Sequence, residues 1–455
     1  MTGKKINGPK NNLFIDGAEK LQKQPIEFMV EMNKNYPDIS TWKLLHLNIV
    51  LLTDPKLVRY VLQTNQKQYK KSSQYESLKL IIGEGLVTSE AEMWKKQRKL
   101  IQPVFHREYI HSLFGDMLHS TNEMISEWKE KLKTDSDIDM SEEMMKITLQ
   151  IIGKTMLSVD VKAEAKAVDV SLSYLLREVN KKTMQAINLP LWVPVPSNFK
   201  FKKEMKVLDG IIYKIINERR KTAAQKGDLL DILMASKYED TGETMPDELL
   251  RDEVMTIFLA GLETTANALA WTFYLISQNP EVYKKLKEEI KTIVGDGEIT
   301  FQHLQQLKYT KACLNESMRL YPPIWLIGRR ALEDNMIGDY LIKKDTDLFI
   351  TPYIVHRHPD YWKNPEAFDP DRWETKEVQE MDKFAYFPFA AGPRMCIGNN
   401  FALFEADIII TKVIQNFDFE YIGQLAPVMD PTVTLRIKDG VPMKLVKRRS
   451  SEHVE

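Results

Sequence analysis

The apolar positions along this 455-residue chain recur mainly at the spacing of amphipathic α-helices. That spacing extends from about residue 89 to residue 319, with clear examples at 248–278 and 279–294. Proline and glycine interrupt it, since three prolines cluster in "LPLWVPVPSNF" and Gly295 follows another periodic segment. The pattern predicts a protein built mainly from α-helices.

Strand patterns are short and lie near the two ends of the chain. They are "TWKLLHLNIVLL" at 41–52 and "VTLRIKDGVPMKLV" at 433–446, where Asp439-Gly440 predicts a hairpin turn. No internal repeat or low-complexity linker divides the sequence. We therefore expect one domain over residues 1–455, mainly α with minor β (α+β), with a flexible terminus of about 20 residues.

Composition and charge limit the function classes. The chain is 43% hydrophobic and 28% charged, as in ordinary globular proteins. Its net charge of −1 creates no overall field that would recruit nucleic acid, so any basic docking surface is local. No apolar stretch approaches the ~20 residues that span a bilayer, and the N-terminal residues carry no apolar signal core. We expect a soluble, cytoplasmic protein without an integral membrane segment.

Cysteine use points to one loop. The two cysteines, Cys313 and Cys396, allow one disulfide at most and form no Cys-x-x-Cys metal pair. Cys396 lies in "FAAGPRMCIGNN", just before a predicted helix at 399–417, where backbone N–H groups and the helix dipole favour a thiolate. One thiolate does not hold a free metal ion, so the loop suits iron carried in a haem. The alternatives are a small buried apolar side chain or a reactive thiol.

A family signature surrounds this cysteine. Phe389, Gly392, Cys396 and Gly398 form the pattern F-x-x-G-x-x-x-C-x-G, by which the chain resembles the cytochrome P-450 superfamily of thiolate-ligated haem monooxygenases. The resemblance implies that Cys396 is the axial ligand of haem b (iron protoporphyrin IX), with Phe389 and Gly398 beside the cofactor. It also implies a single triangular, helix-rich fold of the soluble bacterial type, with a long central helix over the haem and small β-sheets.

A second motif, "NESMRLYPP", places Glu316 and Arg319 three residues apart on one face of a predicted helix. An exposed ion pair is the alternative, and it would contribute little to stability. The surrounding residues are apolar, however, and the family pattern adds Arg372 of "FDPDRW" to the pair. The resemblance implies a structural network behind the haem that holds the cysteine loop. Trp373 stands where the family more often has phenylalanine.

A third motif, "LAGLETTANALAW", sets glycine and threonine inside a helix. On the residues alone, Gly261 is a packing glycine and the threonines bond back to helix carbonyls. The resemblance implies the oxygen-activation motif of the family instead. Gly261 and Ala260 would then leave room beside the iron, and Glu263 and Thr264 would relay protons.

The haem propionates require cations. Trp94 and Arg98 stand at i and i+4 on one predicted helix, and the family uses this pair for a propionate. On spacing alone, Trp94 is the core residue of a surface helix. Further expected partners are Arg394 and either Arg329 or its neighbour Arg330.

The resemblance implies insertion of one atom of dioxygen into a small, hydrophobic substrate, by hydroxylation or O-dealkylation. Peroxide-driven or isomerase-type haem-thiolate chemistry and non-enzymatic haem binding are the alternatives, and the acid–threonine pair argues against them. The expected lining segments are 80–87, 189–199, 258–260, 324–327 and 428–433.

The chain has no flavin or iron–sulfur module, so electrons from NAD(P)H must arrive through a separate ferredoxin or flavodoxin and its reductase. Lys95, Lys96 and Lys99 share a helix with Arg98 and form a candidate docking face for an acidic partner. A solvated lysine-rich helix is the alternative. We expect a monomer.

Replacing Cys396 with serine is expected to abolish the thiolate-type Soret band of the reduced carbon-monoxide complex, because a hydroxyl is not a soft anionic ligand. The absorption spectrum of the purified holoprotein measures this. Cys313→Ser is the matched control and should keep the band. A Cys396→Ser protein that retained it would remove Cys396 as the iron ligand.

Overall fold

A computed structural model describes residues 3–9, 16–44, 47–134, 137–184, 189–222, 226–237, 242 and 244–447. In chain order the α-helices are α1 Asp16–Lys23, α2 Pro25–Asn35, α3 Pro55–Arg59, α4 Gln74–Ile82, α5 Ala91–Ile101, α6 Arg107–Ser112, α7 Phe114–Lys131, α8 Met140–Leu157, α9 Ala165–Met184, α10 Pro196–Thr222, α11 Leu229–Ala235, α12 Asp247–Ser277, α13 Pro280–Ile293, α14 Phe301–Gln306, α15 Lys308–Leu320, α16 Pro352–Val355, α17 Lys376–Gln379 and α18 Asn399–Asn416. The strands are β1 Ile39–Leu44, β2 Leu47–Leu52, β3 Tyr69–Lys71, β4 Asp137–Asp139, β5 Ile327–Ala331, β6 Asn335–Ile337, β7 Tyr340–Ile342, β8 Asp347–Ile350, β9 Phe417–Tyr421, β10 Met429–Pro431, β11 Leu435–Ile437 and β12 Pro442–Lys447. The prediction of a mainly α protein with minor β is confirmed.

Helix α12 is the central element of the core. It has 31 residues, and buried side chains lie on most of its surface because α8, α10, α15 and α18 pack around it. Acidic residues in its first turn complement the helix dipole. Among the described helices it alone is long and apolar enough to cross a bilayer, but 78% of that apolar window is buried by the rest of the protein.

The largest sheet has five strands in the order β1-β2-β8-β5-β3. Strands β2 and β8 are parallel, whereas the other neighbouring pairs are antiparallel. In the β3–β5 pair, Lys71 lies opposite Arg329. This register brings two basic residues that are far apart in sequence to the same place.

The hairpin predicted at Asp439-Gly440 is wrong. Strand β11 pairs with β10, whereas β12 pairs with β9 and β4. Gly440 does take a left-handed conformation, with φ of 77°. The turn bonds to Asp139 and Met140 instead of closing a hairpin. Asp139 Oδ1 accepts the Val441 N–H at 3.0 Å, and the Val441 carbonyl accepts the Met140 N–H at 2.8 Å. These bonds direct the chain to β4 instead of back onto β11.

Part of the terminus predicted to be flexible contacts the sheets. Ile6 is buried, the Lys4 N–H donates to the Asp339 carbonyl at 2.8 Å, and the Asn7 carbonyl accepts the Thr41 N–H at 2.9 Å. Residues 1–2 and 10–15 of that terminus lie outside the described residues.

A single domain over residues 1–455 stays a prediction.

Candidate active site

A cavity of about 380 Å³ lies beside α12. Its wall also takes residues from α4 and the loop after it, α5, α9, β5, the cysteine loop and the first turns of α18. The wall is mostly apolar, as in small-molecule sites in general. Both halves of the sequence contribute to it, so the cavity is the place where the predicted site residues can meet.

Cys396 lies on the cavity wall, one turn before α18. Its backbone N–H donates to the Phe389 carbonyl at 2.9 Å, and Phe389 lines the same cavity. Burial raises the pKa of the Cys396 thiol, although the Gly398 N–H and the Arg98 charge act in the opposite direction. A bound metal cation would favour the thiolate form of Cys396.

Gly392 is required by the close approach of two backbone segments. Its φ is 69°, and a Cβ atom at this position would lie 2.0 Å from the Leu62 carbonyl oxygen. Gly398 also lines the cavity, but a Cβ there would meet nothing closer than a Phe105 ring carbon at 3.6 Å. The described protein atoms therefore leave room for a side chain at position 398.

Trp94 and Arg98 project from α5 to the cavity, as the i, i+4 spacing predicts. Arg98 donates from Nη1 to the Met395 carbonyl at 2.8 Å. The Arg394 guanidinium lies 3.9 Å from the centre of a Trp94 ring and forms an ion pair with Glu90. Burial lowers the pKa of both Arg98 and Arg394, and this is the direction expected of cations that lack sufficient countercharge.

The choice between Arg329 and Arg330 is made by strand alternation along β5. Arg329 is buried on the cavity wall, where its Nη1 bonds, among the described residues, only to the carbonyl of the preceding residue at 2.9 Å. Arg330 points the other way and binds Asp347 through Nε at 2.7 Å and Nη2 at 2.8 Å. Arg329 is therefore the cavity arginine.

Lys71 is a cavity residue that sequence reasoning missed. Its Nζ donates to the Ser89 carbonyl, and within the described residues it has no ion pair to a carboxylate. Burial lowers the pKa of Lys71 to about 7, and the nearby Arg394 charge adds to the effect. In sequence Lys71 belongs to a polar stretch, and only the β3–β5 pairing places it beside Arg329.

Thr264, Gly261 and Ala260 line the cavity from α12. Thr264 donates from Oγ1 to the Ala260 carbonyl at 2.6 Å, the back-bonding that mid-helix threonines often show. A Cβ at Gly261 would lie 2.2 Å from Ile152 Cδ1, so α8 packs closely against this glycine. Gly261 thus both packs against α8 and borders the cavity.

Glu263 is not on the cavity wall. It is fully buried, and its Oε1 lies 3.3 Å from Arg436 Nε on β11, whose Nη2 is 3.4 Å from Asp169 Oδ1 on α9. Burial raises the pKa of Glu263, against the lowering effects of Arg436 and Thr434. The structure therefore brings Thr264 to the cavity but directs its neighbour Glu263 towards Arg436.

The predicted structural network is present and buried. Glu316 accepts from Arg319 Nε at 2.9 Å and Nη2 at 2.8 Å, and from Arg372 Nε at 2.9 Å. Trp373 donates its Nε1–H to Glu316 at 3.0 Å, a bond that phenylalanine would lack. Arg319 also donates to the Pro365 carbonyl at 2.6 Å. The network fixes the segment before the cysteine loop.

A family model described as Cytochrome P450 matches residues 7–442. The chain belongs to the cytochrome P450 family. It is 29% identical over 424 residues to the chloroplastic protein LUTEIN DEFICIENT 5 of Arabidopsis thaliana, covering 88% of this chain and 70% of the relative. It is 30% identical to cyclooctatin synthase of Streptomyces melanosporofaciens, covering 86% of this chain and 85% of the relative. It is also 30% identical to cytochrome P450 4V2 of Homo sapiens, covering 96% and 87%.

The residues present fit the haem of this cytochrome P450. Four basic side chains face one cavity, and among the described residues Glu90 is the one carboxylate that pairs with any of them; the four are Lys71, Arg98, Arg329 and Arg394. Two propionates would supply the missing negative charge. In the described part of the chain no group of three or more histidine, cysteine or acidic residues could hold a free metal ion. Cys396 would supply the sulfur ligand of the haem iron.

The prediction of which segments line the cavity agrees with the structure for most segments and is wrong for residues 189–199. Leu86, Val87, Val433 and residues 324–327 line the cavity of the cytochrome P450. Residues 189–199 do not, and Trp192 in that segment is 77% exposed. The segment folds on itself, since Asn198 donates from Nδ2 to the carbonyls of residues 190 and 193 at 2.9 and 3.0 Å.

Replacing Lys71 with methionine is expected to weaken haem retention and to stabilise the haem-free protein. The lysine pKa is lowered from 10.5 to about 7, so its burial costs stability in full below pH 7, and the cost disappears as pH rises towards 10.5. Haem transfer to apomyoglobin and urea unfolding of the apoprotein at several pH values measure the two effects. Neighbouring Lys70→Met is the control, and equal results for both variants would contradict the role of Lys71.

Proposed function

We propose that this cytochrome P450 monooxygenase inserts one oxygen atom into a small, largely apolar substrate, by hydroxylation or O-dealkylation. The observation that supports this best is that Cys396 and Thr264 border one mostly apolar cavity. Bound haem would supply dioxygen binding and redox chemistry at its iron, with Cys396 as the donor ligand. Trp94, Arg98, Arg329, Arg394 and Lys71 would hold the propionates, and Phe389 and Gly398 would contact the cofactor.

The protein residues supply proton control. Thr264 holds a hydroxyl proton at the cavity wall. Glu263 is next to it in the chain, and its carboxylate connects through Arg436 to Asp169, which is partly exposed. We propose that protons from solvent reach Glu263 from the side where Asp169 lies. They pass to Thr264 when the Glu263 side chain moves away from Arg436. Gly261 and Ala260 keep the cavity open next to Thr264.

The position of Glu263 also favours a second candidate, peroxide-driven chemistry. An enzyme supplied with peroxide does not need an acid to deliver protons to dioxygen. Glu263 fits this alternative because it is bound to Arg436 and lies off the cavity wall. Peroxide-driven chemistry predicts product formation without an electron donor. Product formation with NAD(P)H and a redox partner, compared with product formation with peroxide, separates the two.

The substrate class follows from the wall. Apolar side chains dominate, and the polar groups away from the cation cluster are few, for example Asn180 and Thr183 on α9. One relative, named cyclooctat-9-en-7-ol 5-monooxygenase, is 30% identical over 86% of this chain. We propose an apolar molecule with one or two polar groups as substrate.

The electron donor is proposed to dock beside α5. Lys95 and Lys99 border a surface depression together with Arg98 and His106, and Met395 next to Cys396 is exposed on this side. Because basic patches attract acidic partners, we propose a ferredoxin or flavodoxin, reduced from NAD(P)H by its own reductase. We further propose that the protein is a cytoplasmic monomer that folds as a single domain. It would have no membrane segment and bind no nucleic acid.

Replacing Thr264 with alanine is expected to lower the product formed per NAD(P)H several-fold while ferric haem and substrate binding stay intact, because the hydroxyl proton is removed from the cavity wall. A substrate is first found by the low-to-high-spin shift with a panel of apolar compounds. Thr264→Ser retains the hydroxyl and should restore coupling. Unchanged product yield in Thr264→Ala would show that Thr264 is not in the relay.

Changing Lys95 and Lys99 to glutamate is expected to slow reduction by ferredoxin about tenfold at low salt, since electrostatic steering accelerates encounter by ~10-fold or more. Stopped-flow reduction at several salt concentrations measures this. Lys202→Glu with Lys206→Glu on α10 makes the same charge change elsewhere and serves as the control. If both double variants behave alike, and salt has no effect on the wild type, docking at α5 is excluded.

A further inference from the structure

The loop 83–90, between α4 and α5, forms part of the cavity wall through Leu86 and Val87. It is tightly bonded within itself, because Thr88 donates from Oγ1 to the Gly83 carbonyl at 2.6 Å and the Ser89 N–H donates to the Gly85 carbonyl at 2.9 Å. These bonds connect the start of the loop with its end. What holds the loop therefore sets the position of Leu86 and Val87.

Two neighbouring acids of α12 bond to the first half of this loop, whereas Lys71 and Arg394 donate to the Ser89 carbonyl at its other end. Asp252 Oδ2 accepts the Glu84 N–H at 2.8 Å, and Glu253 Oε2 accepts the Leu86 N–H at 3.0 Å. Packing is close as well, since a Cβ at Gly85 would lie 2.0 Å from Thr256 Oγ1. Both acids therefore bond the loop directly to the central helix, and the loop also packs directly against that helix at Gly85.

The two acids differ in environment. Asp252 is partly exposed and pairs with Arg251 at 2.8 Å. Glu253 is 0% exposed, and its Oε1 has no hydrogen-bond partner in the described part of the chain. Burial raises the pKa of Glu253 to about 8, with Asp252 adding to the effect and the Leu86 N–H and Lys71 opposing it. Burial therefore favours the neutral form of the Glu253 carboxyl, whose Oε2 accepts the Leu86 N–H.

We propose that Glu253 is a specificity-determining positioning residue, whose hydrogen bond to the Leu86 N–H fixes the Leu86–Val87 wall of the substrate cavity. This inference rests on the proposed use of the cavity for substrate. If the acceptor is removed, the Leu86 N–H is left buried and unpaired, which is a substantial cost. The loop then gains alternative positions, and ligands that reach the wall bind more weakly.

The test uses the ferric holoenzyme and two probes that coordinate iron through nitrogen. Imidazole is small, whereas 4-phenylimidazole carries a phenyl group that reaches further into the cavity. Glu253→Leu removes the acceptor at similar size, and Glu253→Gln keeps an oxygen for the Leu86 N–H. Thr272→Val changes another buried polar residue of α12, far along the helix, and is the matched control.

Glu253→Leu is expected to weaken 4-phenylimidazole binding on the order of tenfold, the effect of one unpaired buried donor, and to leave imidazole binding within about twofold. Hydrogen exchange of the 83–90 segment should speed up by a similar factor. Glu253→Gln should restore both values, and Thr272→Val should match the wild type.

The proposal is overturned if Glu253→Leu leaves both 4-phenylimidazole affinity and segment exchange unchanged, or if it weakens the two azoles equally. If the leucine variant does not fold, Glu253→Ala removes the same acceptor without added bulk and is read in the same way. Azole binding needs only the haem iron, so its result is independent of whether the enzyme oxygenates any substrate.

Discussion

Burial of several cations in the same cavity as a cysteine sulfur is the constraint on which this structure depends. Arg98, Arg329, Arg394 and Lys71 converge there, while Glu90 supplies the one carboxylate that pairs with them among the described residues. Such charge is costly without an anionic partner. The sulfur has the opposite need, because burial disfavours its thiolate until a metal cation is near. A haem, with two propionates and one iron, answers both requirements at once.

The Glu316 carboxylate is the centre of a buried network that holds the segment before the cysteine loop. It accepts bonds from Arg319, Arg372 and Trp373, and all of these are buried or nearly so. Removing one partner would leave a buried charge unpaired, which would be strongly destabilising. It extends towards the cysteine loop through His356, whose carbonyl accepts from Arg319 at 3.1 Å and whose Nε2 accepts the Phe387 N–H at 3.0 Å.

Helix α12 serves the cavity in three ways along its length. Thr264 places a hydroxyl on the wall, and Glu263 beside it faces the other way and binds Arg436. Three turns earlier, Glu253 holds the loop that carries Leu86 and Val87. A helix residue turns by about 100° relative to its neighbour, and this turn lets Thr264 and the adjacent Glu263 face different surfaces. In the proposed mechanism, this one helix therefore links proton supply to the shape of the substrate wall.

The sequence by itself predicted the helical class from local periodicity. Short motifs of fixed spacing, through their resemblance to a known family, predicted the central helix, the cysteine loop and the Glu316 network. The sequence also placed Trp94 and Arg98 on one helix face. Only the tertiary structure decided the position of Lys71, the turn at Gly440 and the direction of Glu263. Each depends on which distant segment packs alongside: β5 next to β3, β4 next to β12, and Arg436 of β11 next to α12. Pairing between segments far apart in sequence leaves no local signal, since either partner alone reads as an ordinary polar or turn residue.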